Sequence, residues 1–195
     1  MIDALKTFAK DHHIPIISDD GLLFILDAIK KYDVKDVLEI GTAIGYSAIA
    51  MALFGVKVDT IERQPDMQAL AKTHIKSFGL DDKIQLICAD AIDYEMSDQT
   101  YDLIFIDAAK AQYQRFFEKY SPYLKKDGII ICDNLHFHHL NPQKVNRNTR
   151  QLLGKIESFK TFVANHPDFD TKFHDIGDGM SLSKRSTHET DCNTI

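Results

Sequence analysis

Two short motifs combine carboxylates, an amide and a lysine in a pattern suited to metal-assisted chemistry. Asp107 ends one apolar run with Lys110 one helical turn further on, and Asp133-Asn134 ends the next apolar run. If these runs are neighbouring parallel strands, the three oxygen-bearing side chains lie together on one rim of a sheet. Two carboxylates and an amide oxygen form a hard ligand set for Mg²⁺, or for Mn²⁺, which accepts the same ligands. We therefore predict a metal site at Asp107, Asp133 and Asn134, with Lys110 close enough to act as a general base.

A second group of residues is suited to a nucleoside-type cofactor. Gly41 and Gly45 follow the first apolar run with the spacing G-x-x-x-G, which differs from the G-x-G-x-x-G of dinucleotide sites. Glu62 ends the next run, where a carboxylate suits the hydroxyls of a ribose. Asp90 ends the third run and is placed to accept from an adenine amino group. The other interpretation is that Glu39 and Asp90 only cap strand ends and turns.

Short β-rich runs alternate with helical segments, and this order predicts how the two groups are positioned. Strands are expected at Val34–Ile40, Val56–Glu62, Ile84–Asp90, Tyr101–Asp107 and Gly128–Asp133. Helices are expected between them at Ser47–Phe54, Asp66–Phe78 and Gln112–Lys125, the last broken at Ser121-Pro122. The continuous apolar runs indicate parallel strands covered on both faces. The predicted fold is a Rossmann-like, doubly wound α/β sheet with helices on both faces.

The ends of the chain complete a seven-stranded sheet in this prediction. Two helices, Ile2–Asp11 and Asp19–Lys31, precede the first strand. A later helix is expected from Asn141-Pro142 to Asn165, because Asn is a good N-cap and Pro suits the first helical position. Thr171–Ile176 and Met180–Lys184 then predict a C-terminal antiparallel hairpin. We expect a single domain over residues 1–185 and a disordered polar tail over 186–195.

Composition excludes several classes of function. The net charge of −6 provides no general attraction to nucleic acid, so any RNA contact needs a local basic patch. The apolar runs are too short for a bilayer-spanning helix, and no secretory leader is evident. Three cysteines form neither a C-x-x-C pair nor an even framework, which favours a cytoplasmic protein. The histidines at 136, 138 and 139 lack a cysteine at zinc-ligand spacing, so we expect surface or substrate-loop roles.

The motifs together resemble the catechol and caffeoyl-CoA O-methyltransferase family. The resemblance rests on EIGTAIGYS, TIER, the Ala89-Asp90-Ala91 segment, FIDAAKAQY, CDNLHF and IGDGMSLSK, and it covers residues 14–184. It implies methyl transfer from S-adenosylmethionine to an acidic hydroxyl, Mg²⁺ or Mn²⁺ at the predicted site, Lys110 as base, and commonly a homodimer. It also implies an S-adenosylmethionine pocket lined by Glu39, Gly41, Gly45, Tyr46, Ser47, Glu62, Asp90 and Asp107.

Within this family the stretches HHIPIISDDG, EIGTAIGYSAIAMAL and NHPDF are most similar to the bacterial branch that methylates 5-hydroxyuridine at the tRNA wobble position. In that base the hydroxyl lies beside a carbonyl, so both oxygens could chelate one metal ion. Lys144, Arg147 and Arg150 recur on one face of the predicted helix and could grip the phosphates of the tRNA anticodon. The other interpretation is an ordinary solvated helix face.

Three alternatives remain open at this stage. A methyltransferase for small catechol-like or caffeoyl-type hydroxyls needs the same site but no basic helix. A nicotinamide-dependent dehydrogenase would need the dinucleotide glycine motif, which is missing. A non-catalytic S-adenosylmethionine sensor would not need Lys110 or the three ligands.

Overall fold

Seven strands form one sheet in the order β3-β2-β1-β4-β5-β7-β6. The computed structural model describes residues 2–136 and 145–186. The strands are β1 (Asp36–Ile40), β2 (Lys57–Glu62), β3 (Ile84–Cys88), β4 (Tyr101–Ile106), β5 (Leu124–Cys132), β6 (Phe169–His174) and β7 (Met180–Arg185). Strands β1 to β5 are parallel, whereas β7 is antiparallel to both β5 and β6. The predicted α/β sheet with a C-terminal antiparallel hairpin is confirmed.

Helices cover both faces of the sheet. They are α1 (Ile2–Asp11), α2 (Asp19–Lys31), α3 (Tyr46–Leu53), α4 (Pro65–Ser77), α5 (Tyr113–Tyr120) and α6 (Arg147–Ala164), with short 3₁₀ turns at Lys110–Gln112 and Ser121–Tyr123. Buried residues of α1 to α4 pack on one face and those of α5 and α6 on the other. Alternate residues along β4 belong to opposite layers, since Phe105 contacts the first and Ile106 the second. Burial on both faces explains the continuous apolar runs.

The structure moves several predicted boundaries, most clearly at the start of β5 and at the start of the helix that follows it. Leu124 and Lys125 belong to β5 and not to the preceding helix, because Leu124 is buried and pairs with Tyr101 of β4. The helix after β5 begins at Arg147, because Asn146 is its N-cap and accepts a hydrogen bond from the backbone N–H of Thr149. The earlier start expected at Asn141-Pro142 lies outside the described residues, as does the predicted tail from residue 187.

The register of the central strands brings the site together. Ile40 of β1 lies beside Ile106 of β4, which lies beside Cys132 of β5. The next residues, Gly41, Asp107 and Asp133, continue these ladders beyond the last paired residues. They therefore emerge side by side at the carboxyl edge of the sheet. Over the described residues, we find no helix long and apolar enough to cross a membrane.

Candidate active site

A cavity of about 490 Å³ opens at this edge of the sheet. Loops that follow β1 to β5 surround it, together with the segment Pro15–Ile17 and the connection between β6 and β7. Of the residues predicted to bind a cofactor, a metal ion or the transferred proton, those that line it are Gly41, Tyr46, Ser47, Glu62, Asp90, Asp107, Lys110 and Asn134. Residues of both motif groups thus share one space, although Asp133, a predicted metal ligand, is buried and is not among the lining residues. The volume of the cavity falls in the range of small-molecule sites.

Gly41 lies against the loop that carries the predicted metal ligands. Its φ of +105° is a conformation that few residues other than glycine adopt. A Cβ atom at this position would overlap the backbone carbonyl oxygen of Asp107. The glycine therefore allows the loop after β1 to approach the loop after β4 closely enough to share a cavity wall.

Two acids on the β2 and β3 side shape the proposed nucleoside end of the cavity. Glu62 accepts hydrogen bonds from the backbone N–H of Ala43 at 2.9 Å and of Gln64 at 2.8 Å. Asp90 accepts from the N–H of Ile92 at 2.8 Å, and its other oxygen lies 3.6 Å from the guanidinium of Arg63. Because a carboxylate oxygen can accept more than one hydrogen bond, both acids keep capacity for a ligand.

Glu39 and Gly45 lie behind the cavity wall and not on it. Glu39 is fully buried, and its two oxygens accept 2.5 Å hydrogen bonds from the hydroxyls of Ser47 and Thr60. Burial raises the pKa of Glu39 to about 8, although both hydroxyl contacts oppose the shift. Glu39 therefore has no direct contact with the cavity, but it accepts a hydrogen bond from Ser47, which lines the cavity. Gly45 is the left-handed residue before α3 and faces Ala71.

The predicted metal ligands form a connected polar cluster. The side-chain amide of Asn134 donates to Asp107 Oδ1 at 2.8 Å, and Lys110 Nζ donates to Asn134 Oδ1 at 2.9 Å. The backbone N–H of Asn134 donates to Asp133 Oδ1 at 2.6 Å. Asn134 adopts a φ of +63°, which asparagine tolerates better than most residues, and this turn directs its side chain to Asp107.

Electrostatics at this cluster favour a cation. Burial raises the pKa of Asp107 to about 6, although Lys110 and the Asn134 hydrogen bond oppose the shift. Burial, followed by the charge of Asp107, raises the pKa of Asp133 to about 7. Both acids also experience the charge of Asp178. Crowded carboxylates of this kind are stabilised when a cation binds between them.

The oxygen set fits a hard divalent metal ion in its chemistry. No group of three or more His, Cys, Asp or Glu side chains in residues 2–136 and 145–186 could hold a metal ion. The amide oxygen of Asn134 would therefore have to complete the set. This oxygen accepts a hydrogen bond from Lys110 Nζ, so it would have to give up that bond in order to bind the ion. Carboxylate, carboxylate and amide oxygen suit Mg²⁺ or Mn²⁺ and leave coordination positions for a substrate.

The remaining predicted residues lie elsewhere. Arg147 and Arg150 are exposed on the first turn of α6, whereas Lys144 lies outside the described residues. His136 Nδ1 is 3.1 Å from Asp175 Oδ1, and His138 and His139 also lie outside the described residues.

Sequence patterns missed other residues that line the cavity. Asp178 lies between two glycines, a pattern that predicts only a turn, and the segment Pro15–Ile17 between α1 and α2 carries no polar motif. In the sequence, Asp178 was noted only as part of the motif IGDGMSLSK, which contributes to the family resemblance.

Comparisons with known proteins settle the family. A family model described as O-methyltransferase matches residues 4–186. The chain belongs to the O-methyltransferase family. The tapetum-specific methyltransferase 1 of Arabidopsis thaliana is 30% identical over 177 residues, covering 85% of this chain and 76% of the relative. Membership in this family confirms the prediction of an O-methyltransferase and speaks against the dehydrogenase alternative.

Solved structures of relatives share the whole architecture of this O-methyltransferase. A Staphylococcus aureus protein named for caffeoyl-CoA O-methyltransferases is 36% identical, with a TM-score of 0.91 over 95% of this chain and 92% of its own. The methyltransferase PaMTH1 of Podospora anserina, solved with bound SAH, is 25% identical, with a TM-score of 0.74 over 88% of this chain and 80% of its own.

The Gly41 contact leads to a stability prediction with a matched control. Gly41→Ala should lower the free energy of unfolding by more than about 3 kcal/mol, because left-handed strain and an overlap with Asp107 add together. Gly55→Ala has a similar φ of +112° but meets nothing within 4 Å, so only the strain of roughly 1–2 kcal/mol applies. Urea denaturation measures both. An equal loss of unfolding free energy in the two variants would show that the contact between Gly41 and the Asp107 carbonyl leaves room for a methyl group.

Burial of Glu39 leads to a pH prediction. Because the folded-state pKa of about 8 lies above the ordinary value of 4.5, ionisation of Glu39 across that interval weakens the folded state. Wild-type stability therefore includes a contribution present at low pH and lost as pH rises through about 8. Glu39→Gln removes this group, so its stability relative to wild type should increase by on the order of 1 kcal/mol or more from pH 5 to pH 9. If the stability of wild type and of Glu39→Gln changed with pH in parallel, the raised pKa of Glu39 would be contradicted.

Proposed function

We propose that this O-methyltransferase moves the methyl group of S-adenosylmethionine onto a hydroxyl of a small catechol-like or caffeoyl-type acceptor, with the help of a divalent metal ion. One observation carries the proposal: a single cavity holds the Glu62 and Asp90 carboxylates at one side and the Asp107, Lys110 and Asn134 cluster at the other. A nucleoside cofactor and a metal-chelating acceptor can therefore meet there.

The cofactor assignment rests on the acids and on a relative. Glu62 suits the ribose hydroxyls, and Asp90 suits the adenine amino group, because a carboxylate accepts hydrogen bonds from both. Both acids are already oriented by backbone N–H groups. The Podospora relative was solved with SAH, the demethylated form of the cofactor.

The acceptor class follows from the metal ligands and from a relative's name. Asp107, Asp133 and Asn134 would hold the ion, with Mg²⁺ and Mn²⁺ both suited to the oxygens. When bound, such an ion lowers the pKa of a coordinated hydroxyl and fixes an acceptor that presents two adjacent oxygens. The Staphylococcus aureus neighbour bears the name of enzymes that act on a caffeoyl group.

Lys110 is placed to receive the proton in this proposal. Its Nζ lies 2.9 Å from Asn134 Oδ1, so it lies beside the oxygen set. In the transfer step the acceptor oxygen forms a bond to the methyl carbon, the carbon–sulfur bond breaks, and the hydroxyl proton passes to the neutral amine form of Lys110. Alignment of the two reactants in one cavity supplies much of the remaining acceleration.

A labelled-methyl assay tests the proposed function. The protein is incubated with methyl-labelled S-adenosylmethionine, with Mg²⁺ or with a chelator, on a catechol and caffeoyl panel and on tRNA that contains 5-hydroxyuridine. We expect label in the small acceptors only with Mg²⁺. Label in neither substrate class, with S-adenosylmethionine still bound, would indicate a non-catalytic sensor.

Two substitutions separate the metal site from the base. Asp107→Asn should weaken Mn²⁺ binding measured calorimetrically and lower turnover by at least about a hundredfold. Lys110→Met should keep Mn²⁺ binding and lower kcat by roughly 10²–10⁴-fold. Asp82→Asn, an exposed acid after α4, serves as a control. Full activity in Asp107→Asn, or unchanged kcat in Lys110→Met, would remove that residue from the mechanism.

A second candidate acceptor, 5-hydroxyuridine in tRNA, is favoured by the exposed Arg147 and Arg150 at the start of α6. This helix packs against the 3₁₀ turn that carries Lys110, so the two guanidinium groups lie on an element in contact with the site. Phosphates around an extruded base could bind there.

Charge reversal tests this candidate. If the substrate is tRNA, Arg147→Glu with Arg150→Glu should abolish tRNA methylation, and Lys30→Glu with Lys31→Glu on α2 should not. Unchanged tRNA methylation in the α6 variant would exclude the patch.

A further inference from the structure

Tyr113, the first residue of α5, is buried behind the predicted metal ligands. Its ring packs edge-on against Phe159 of α6, with the ring centroids 5.5 Å apart. Its hydroxyl donates a hydrogen bond to the backbone carbonyl of Asp133 at 3.0 Å. Burial raises the pKa of this phenol well above its ordinary value, so the group keeps the proton that it donates. Tyr113 does not line the cavity, and its hydroxyl therefore acts on the backbone of the site.

The carbonyl that accepts this bond belongs to the peptide between Asp133 and Asn134, both of which are predicted metal ligands. A peptide unit is planar, so a bond that holds its oxygen also holds the direction of its N–H. That N–H donates to Asp133 Oδ1 at 2.6 Å, and the chain turns at Asn134 with a φ of +63°. The phenol of Tyr113 therefore holds the peptide from which both side chains extend.

The same phenol oxygen also contacts the loop that follows β4. The ladder between β4 and β5 reaches the N–H of Asp133, which donates to the carbonyl of Ile106 at 3.2 Å. The next step of a parallel ladder would join the N–H of Ala108 to the carbonyl of Asp133. The Tyr113 hydroxyl lies at this step, because it donates to that carbonyl and accepts a hydrogen bond from the Ala108 backbone.

A hydroxyl at this step sets the distance between the two loops. Two hydrogen bonds in series span the gap, so the hydroxyl adds the length of one further bond, about 3 Å, to the separation of the strands. Asp107 immediately precedes Ala108, and Asp133 carries the accepting carbonyl. The two carboxylates thus extend from backbones that one buried side chain holds apart.

We propose that Tyr113 is a positioning residue for the metal site, because its hydroxyl fixes both the separation of the two loops and the orientation of Asn134. The inference rests on the metal site of the proposed function. Its consequence is a higher affinity for the divalent ion, since the oxygen ligands are held in place before the ion binds. The backbone N–H of Tyr113 also donates to the carbonyl of Lys110, so the turn that carries the proposed base has the same support.

The test removes one hydroxyl. Tyr113→Phe keeps the ring against Phe159 and loses only the hydrogen bonds of the phenol. Tyr120→Phe is the matched control, because Tyr120 lies on the same helix, is also buried, and donates to the backbone carbonyl of Ala91 at 2.7 Å, in the loop after β3. Calorimetric titration of each metal-free protein with Mn²⁺, in the presence of S-adenosylhomocysteine, measures the affinity for the ion.

We expect the Kd for Mn²⁺ to rise by roughly tenfold to a hundredfold in Tyr113→Phe, as for the loss of other groups that orient metal ligands. In Tyr120→Phe it should stay within about twofold of wild type, because that hydroxyl shares no partner with the metal ligands. Both variants lose a buried hydrogen bond to a backbone carbonyl, so the melting temperatures of the two metal-free proteins should fall by similar amounts.

The dependence of methyl transfer on metal concentration separates this role from a purely structural one. In Tyr113→Phe, excess Mn²⁺ should restore most of kcat, whereas a damaged fold would leave kcat low at every metal concentration. An unchanged Kd for Mn²⁺ in Tyr113→Phe, an equal rise in both variants, or a kcat that stays low at saturating Mn²⁺ would overturn the inference and leave the proposed function intact. A wild-type protein that binds no Mn²⁺ would overturn the metal site of the proposed function itself.

Discussion

The close approach of Gly41 to the carbonyl of Asp107 is the constraint on which the site depends. The ladder of β1 and β4 extends one residue beyond the paired strands, so the loop after β1 begins beside the loop after β4. A side chain on Gly41 would separate the two loops. Because they meet, the residues proposed to bind a nucleoside and the residues proposed to bind a metal ion lie around one cavity. In the proposed reaction the two reactants would therefore need no large movement to align.

A second constraint is electrostatic. Glu39, Asp107 and Asp133 are acids whose pKa values are raised, chiefly by burial, and they gather under the same rim. Such crowding disfavours the folded protein, as is common where residues serve function and not stability. The hydroxyls of Ser47 and Thr60 support Glu39, whereas Asp107 and Asp133 have mainly Lys110 and Asn134. A bound cation would offset the charge of the last two acids.

Sequence predicted much of this because strand ends in a parallel sheet are local signals. Apolar runs identified β1 to β5, and three acids at the ends of these runs, Glu62, Asp90 and Asp107, line the cavity. Contacts between distant segments carry no such signal: the packing of Gly177 on Ser18 and of Gly179 on His136 makes Asp178 a cavity residue. Glu39 lies one residue before Ile40, which lines the cavity, and the sequence pattern does not show which of two successive strand residues faces a ligand. The start of α6 was misplaced because Pro142 makes Asn141 the stronger helix-start signal in the sequence, whereas Asn146 caps the helix in the structure.

We propose that this O-methyltransferase binds one divalent ion through oxygen atoms at the ends of β4 and β5. Titration of the protein with Mn²⁺, followed by electron paramagnetic resonance of the free ion, tests it most directly. In the presence of S-adenosylhomocysteine, wild type should bind one Mn²⁺ per chain, and Asp133→Asn should lose that site at the same concentrations. Equal binding by both proteins, or none by wild type, would contradict the account.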